Sequence, residues 1–375
     1  MQYSTFAAID IGSYDVILEI FEISKKQGIR SVDKICHRME LGKDTYTLGK
    51  IRPEMEEELC RVLADFVRIM EGYRVDDYRA TASSAISEAS NSLYVLGKIH
   101  QLTGLSVTVL SNSEQRFLSY KALAAMEDNF NKIIEKGTAI LDLDGGSFQI
   151  SLFDKDALVT TQNIRMGSLR IRERLAGIQS ETEHYEEMVE ELIWNEVSSF
   201  KKMYLKDRKI ENIMLIGDVF TDSVYQNIEE KTTKIISCEN FNTWYEKIIR
   251  QSPMELAVKL GIPLENASLM YPSAVIYKCL IDMMGAEHIW IPGVHMTRGI
   301  AYEYAEQMKL LKGGHNFEND ILMAAKNIGK RYAVNRPHVQ NLEMTALAMF
   351  DATKKMHGMK ERERLLLQMA VMLHD

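Results

Sequence analysis

Apolar and polar positions follow two different periods along this chain, and each change of period marks an element. In "FAAIDIGSYDVILEIFEI" the run at 6–11 is apolar enough for a buried strand and 12–15 reads as a turn. Residues 16–23 predict a second strand, interrupted by Glu19 and Glu22, and "IRSVDKICHRMEL" a third. Pro53 then opens a helix in which Met55, Leu59, Val62, Leu63, Phe66 and Met70 keep helical spacing.

The same plan returns later. "TAILDLDGGSFQISLF" reads as strand, Asp, turn, strand; "ALVTTQNIRMG" predicts the next strand and "EEMVEELIWNEVSSFKKMY" a helix. Aligning the two openings sets Asp10 against Asp142. Two β-turn-β units, each followed by helices, predict duplicated α/β lobes with both turns facing one cleft. Gly313 and Gly314 in "KLLKGGHNFEND" read as a linker, and everything beyond is helical in pattern. In "VQNLEMTALAMFDATKKM", Leu342, Leu347, Phe350 and Met356 fall on or near one face. The expected organisation is lobe I over 1–122, lobe II over 123–310 and a helical domain over 315–375. Because the sequence stops within an apolar helical pattern, "LLLQMAVMLHD", that last domain reads as cut short.

Composition narrows the setting. At 375 residues, with 46% hydrophobic and 26% charged residues, the chain has the make-up of a soluble globular protein of two or three domains. A formal net charge of −8 argues against broad nucleic-acid or anionic-membrane binding, but not against a small anion in a local pocket. No apolar run of about 18 residues suggests a membrane span, and "MQYSTFAAIDIG" lacks the features of a signal peptide. Cys36, Cys60, Cys238 and Cys279 lie far apart without a CxxC pair, which predicts reduced, mostly buried thiols and a cytoplasmic address. The acidic run "SETEHYEEMVEE" reads as a solvated helix start, and Met283, Met284, Met369 and Met372 as core filler.

The chemistry concentrates in "AILDLDGGSFQISLF". A strand running into glycines and a Ser is how backbone N–H groups are turned toward a phosphate. Asp144 nevertheless places a carboxylate inside that turn. Three readings stay open. Asp144 and Asp15 face solvent at loop tips; or they join Asp10 and Asp142 around one cleft, as oxygen ligands suited to Mg²⁺ or Ca²⁺; or they pair with lysines that close the cleft.

In order along nearly the whole chain, "AAIDIGS", "LGKDTYTLGKIRPEMEEEL", "ATASSAISEASN", "VLSNSEQRFLSYKAL", "LDLDGGSFQI", "RMGSLRIRERL" and "TRGIAYEYA" resemble the exopolyphosphatase / guanosine pentaphosphate phosphatase (Ppx/GppA) family. The resemblance implies an actin-like fold, that of the sugar kinases and Hsp70, with a helical C-terminal domain. It also implies Mg²⁺-assisted phosphoanhydride hydrolysis of polyphosphate or guanosine pentaphosphate, and it allows a homodimer. Carried over position by position, Gly12, Ser13, Asp144, Gly145, Gly146 and Ser147 fall on the two phosphate loops, and Asp10 and Asp142 on the metal side.

The departures from the family pattern are as telling. The family's Asn-Ser after Gly-Ser is Tyr14-Asp15, its arginine before Glu-Ala is Ser87, and its general-base glutamate is Gln115. A loop glycine is Asp144 and the following Thr-Glu is Phe148-Gln149; a later glycine-rich turn reads Gly217-Asp218-Val219-Phe220-Thr221, where side chains at 219 and 220 are expected to crowd a ligand. Glu114 is the candidate substitute base, but neighbouring helical residues point about 100° apart. Gln can orient a water but cannot take its proton, and losing a general base costs about 10²- to 10⁴-fold.

The resemblance thus implies a phosphohydrolase of weakened activity, and the departures leave a non-catalytic binding or regulatory protein as the alternative. Basic side chains retained in the cleft favour the first; a cleft blocked by Tyr14, Phe148 and Phe220 favours the second. His338, with His374 and Asp375 at the end of the sequence, resembles an HD-type metal phosphohydrolase lacking its last Asp, and structural helix roles are the favoured reading.

Overall fold

A computed structural model describes residues 3–126, 130–155, 157–176, 185–227, 234–311 and 315–374. The linker glycines Gly313 and Gly314, Asp375, and the start of the acidic run, residues 180–184, lie outside these residues.

The first sheet contains β1 (Ser4–Ile11), β2 (Asp15–Ser24), β3 (Gly28–Arg38), β4 (Asp77–Ala82) and β5 (Val107–Val109), in the order β3-β2-β1-β4-β5. β1, β2 and β3 form an antiparallel meander, while β4 pairs with β1 in parallel. The second sheet contains β6 (Thr138–Leu143), β7 (Phe148–Asp154), β8 (Ala157–Ile164), β9 (Asn212–Ile216), β10 (Ile235–Ile236) and β11 (His288–Trp290). Its order, β10-β11-β9-β6-β7-β8, repeats the first, read from β8 to β11, and adds β10 at the far edge. The chain therefore folds as two actin-like α/β lobes with a helical C-terminal region.

Register makes the duplication concrete. Asp10 pairs with Ile17 on β2 and Thr81 on β4; Asp142 pairs with Gln149 on β7 and Ile216 on β9. Each Asp is the penultimate residue of the first strand of its sheet, so each stands where that strand hands over to its turn.

The helix Pro53–Tyr73 starts with its proline at the first turn and buries Leu59, Val62, Leu63, Phe66 and Met70 against the first sheet's core. The helix Leu264–Met284 crosses the second lobe with most of its length buried, Met283 and Met284 included, and feeds the largest core. The helix Met296–Gln307 returns to the first sheet, where Tyr304 stacks on Phe6. The C-terminal helices Phe317–Arg331, Arg336–Ala352 and Glu361–Met372 share a small core of Ala325, Val339 and Met372.

Two expectations need correction. Met356 is 86% exposed, because the long helix stops at Ala352 and Met356 sits in a separate short turn. Of the four free thiols only Cys60 is buried; Cys36, on edge strand β3, is exposed. Among the described residues no helix is long and apolar enough to cross a membrane.

Candidate active site

The two turns meet. A Cβ added to Gly145 would stand 3.3 Å from the Cβ of Ser13, so the first and second β-turn-β openings touch across the lobe boundary. Beside them lies a cleft of about 370 Å³ lined by Asp10, Gly12, Asp15, Gln115, Asp142, Asp144, Gly145, Gln149 and Asp218, among others. Of the residues singled out from sequence, Ser13, Gly146, Ser147 and Glu114 do not line it.

Several contacts hold the lobes closed. Tyr46 places its hydroxyl 2.6 Å from Ser13 Oγ and 2.9 Å from Ser84 Oγ. Any Cβ on Gly146 would collide with that hydroxyl and with Ser84 Oγ, so only glycine fits there. Arg170 lies over the Tyr46 ring at 3.8 Å, donates from Nε to Gly146 O and pairs with Glu88 at 3.0 Å. Arg172 pairs with Glu40 at 2.8 Å and donates to Ser268 Oγ. Tyr14 reaches the other way, donating to Asn266 Oδ1.

The loop donors are turned inward. Gly12 N–H donates to Asp15 O, and Gly145 N–H donates to Asp144 Oδ1 at 2.6 Å. In the second turn a carboxylate from the loop itself takes a donor that an anion would use.

Gln115 is on the cleft wall, 7% exposed, with its Nε2 donating to Leu110 O. Glu114 points away. Its carboxylate accepts from the N–H and Oγ of Ser111 while Ser111 Oγ accepts from Glu114 N–H, a capping box that holds its carboxyl below the usual range. Ser87 closes the short helix Ser84–Ser87 outside the cleft lining.

Charge in the cleft is lopsided. Asp10, Asp15, Asp142, Asp144, Asp218 and Asp222 line it, against Lys34 and Arg38 on β3 and His295, which stands 3.6 Å from Asp222. Burial raises the Asp142 carboxyl to about 6 and that of Asp144 to about 7, the latter against the pull of the Gly145 N–H. Burial also lifts Asp10 well above its ordinary value, and Asp15, Asp144 and Asp142 push the same way. Asp15 and Asp144 thus face the cleft rather than bulk solvent, and neither forms an ion pair with lysine among the described residues; Asp15 accepts instead from Cys36 Sγ.

The third turn departs from its sequence reading at Phe220 but not at Val219, which lines the cleft. Phe220 is fully buried against Phe241 and Tyr277, and Phe148 is buried in the same core. Neither blocks the cleft; only Tyr14 of the three named aromatics lines it. Phe148 and Gln149 are consecutive on β7, so the pleat sends one to the core and the other to the cleft. Asp218 caps the helix Val219–Asn227, accepting from Thr221 N–H and from Tyr277 OH, and burial raises its carboxyl to about 7. Gly217 has φ +106°, and a Cβ there would meet Leu143 O at 2.5 Å and Asp142 Oδ1 at 2.6 Å.

Asp218, Asp222, His295 and Tyr46 were missed as site residues. The Asp-x-x-Thr cap signature at 218–221 was the one available signal for Asp218, and Asp222 follows it one helical turn later; nothing local announces His295 or Tyr46.

Residues 19–308 match the Ppx/GppA phosphatase family. The chain belongs to that family. The bifunctional 3-dehydroquinate synthase/phosphatase of Fusobacterium nucleatum is 21% identical over 310 residues, 76% of this chain and 44% of that protein. Exopolyphosphatase 1 of Mycobacterium leprae is 25% identical over 144 residues, 38% of this chain and 41% of that protein. The chain spans less than half the length of these curated relatives. Two solved structures share the fold. An exopolyphosphatase from Cytophaga hutchinsonii superposes with a TM-score of 0.72 at 17% identity, over 81% of this chain and 98% of that one. A Ppx/GppA family member from Aquifex aeolicus gives 0.67 at 17%, over 82% and 99%.

The oxygen donors suit the Mg²⁺ that a Ppx/GppA resemblance implies, and Asp10 Oδ1 is buried without a hydrogen-bond partner. Among the described residues no three His, Cys, Asp or Glu side chains converge as a metal-ligand set. Asp10 and Asp142 therefore fit only the sparse mode in which one or two carboxylates share the ion with water and substrate oxygens. His338 and His374 lie with ring centroids 5.5 Å apart in the C-terminal region, away from the cleft.

Proposed function

We propose that this Ppx/GppA chain is an exopolyphosphatase-type phosphohydrolase, acting on polyphosphate or guanosine pentaphosphate in the cytoplasm, with turnover far below that of a complete site. The observation that carries the reading is Gln115 on the cleft wall with Glu114 turned into a helix cap. The Gln115 amide orients a water but leaves its proton in place, and a missing general base costs about 10²- to 10⁴-fold. The guanidinium nearest the second turn, Arg170, is committed to Glu88 and the Tyr46 ring. Asp10 and Asp142 would hold Mg²⁺, which when bound supplies charge neutralisation at phosphoryl oxygens. Lys34 and Arg38, exposed at the mouth, attract the rest of a phosphate-rich ligand.

Phosphate release from long-chain polyphosphate and from guanosine pentaphosphate, each with and without Mg²⁺, tests this. Slow, Mg²⁺-dependent release from one of them is expected. No release above buffer from either would replace it with the second reading, a binding or regulatory protein. The Asp144–Gly145 contact favours that alternative, because the loop already holds an anion of its own.

A further inference from the structure

The arginines around the two turns are spent on holding the lobes. Arg170 pairs with Glu88, Arg172 with Glu40 and Arg52 with Asp44. Lys34 and Arg38 differ from them. Both line the cleft, both are exposed, and neither side chain has a hydrogen bond or ion pair among the described residues.

Their place on the sheet explains this. β3 is an edge strand, and its register sets Arg38 opposite Asp15 and Lys34 opposite Glu19 on β2. Both carboxylates are already taken. Asp15 accepts from Cys36 Sγ, and Glu19, 6% exposed, accepts from the hydroxyls of Thr297 and Ser31. Alternation puts positions 34, 36 and 38 on one face, so the two cations stand in a row with Cα atoms about 13 Å apart, four residues at about 3.3 Å each. Arg38 lies beside the first turn, and Lys34 further along the strand from it. Their charges bear on the cleft: burial raises the Tyr14 phenol and the Asp15 carboxyl, while Arg38 pulls against the first, and Cys36, His295 and Lys34 against the second. Tyr14 is the one Phe, Tyr or Trp on the lining and is 7% exposed, so a nucleobase finds no ring to stack on there.

We propose that Lys34 and Arg38 form a distal phosphate subsite on β3, gripping the part of a linear polyphosphate that extends beyond the two turns. The terminal phosphates lie at the turns, the chain runs out past Arg38, and later units reach Lys34. Affinity then depends on chain length, because only a chain that spans the row meets both cations. This rests on the phosphohydrolase reading of the cleft and adds to it the residues that select substrate length.

Titration calorimetry with pyrophosphate and with long-chain linear polyphosphate, both in Mg²⁺ at one fixed ionic strength, is the test. Lys34→Gln with Arg38→Gln should weaken the long chain by about tenfold more than pyrophosphate, which is too short to reach Lys34 from the turns. Dividing variant by unmodified affinity at each length cancels the number of phosphates a chain offers. Lys34→Arg with Arg38→Lys keeps both charges and should keep the length preference. Lys25→Gln with Lys26→Gln removes two exposed charges between β2 and β3, off the cleft lining, and should leave both ligands unchanged. The proposal is overturned by equal loss for both ligands, by no loss for the long chain, or by the same loss in the Lys25 and Lys26 variant. Phosphate release is read in parallel. Length-selective loss of binding without any release upholds the subsite and removes the hydrolytic reading; release with length-blind binding does the reverse.

Discussion

Tyr14, in the first turn, donates a 2.7 Å hydrogen bond to Asn266 on the opposite lobe, 252 positions away in sequence. The ring is 7% exposed and packs with Leu169 and Leu269, and burial pushes its phenol above the ordinary range. Where the family pattern has Asn, this chain has a latch. Tyr14→Phe keeps the packing and removes the bond, so it should cost about 0.5–1.5 kcal/mol. Urea unfolding reads the loss, and small-angle scattering should show a more open particle; an unchanged midpoint would mean that the bond contributes nothing.

Asp144 occupies the second loop's donor. Replacing it with Gly frees the Gly145 N–H and removes a carboxylate, which at about 4 Å from an anion costs on the order of 1 to 4 kcal/mol at effective dielectrics of 80 to 20. Pyrophosphate should therefore bind more tightly to the Asp144→Gly protein in titration calorimetry. Equal binding by both forms would show that Asp144 does not oppose the anion.

The raised aspartates set a pH dependence. Asp142 near 6 and Asp144 and Asp218 near 7 hold protons in the folded state that the unfolded chain gives up near 4. The folded state then binds more protons between those values, so these groups make stability fall as pH rises from about 4 to about 7, with no further loss above. Urea midpoints should be higher at pH 5.5 than at pH 8, and Asp144→Asn should shrink the difference. A midpoint that rises over that interval contradicts the assignment.

Glu114 is a structural cap. Glu114→Ala should lower stability by roughly 0.5–2 kcal/mol through the lost capping box while leaving any slow phosphate release within error once folding is matched. A drop in rate as large as that of a lost base would return Glu114 to the chemistry.

The duplicated lobes were legible because their signals are local: alternation, turn glycines and the matched Asp10 and Asp142 all lie within short windows. So was Gln115, whose helical phase sends it inward while Glu114 turns out. The closed cleft was not legible. Tyr46 against Gly146, Arg170 on Glu88 and Tyr14 on Asn266 join residues far apart in sequence, and no local pattern reports a long-range contact. Phe148 and Phe220 were misplaced because a turn residue's direction depends on the pleat or helix phase beyond it, which sent both to the core.

If the catalytic set is broken at several members at once, as proposed, repair in steps tests it most directly. Gln115→Glu restores a base but leaves Ser87 without a guanidinium and Asp144 in the loop; residues that act as one unit give strongly non-additive effects. Initial rates of phosphate release from polyphosphate should barely change in the single variant. In Gln115→Glu, Ser87→Arg, Asp144→Gly combined they should rise by more than the three single changes together. Full activity from Gln115→Glu alone, or fast hydrolysis by the unmodified protein, would contradict the account.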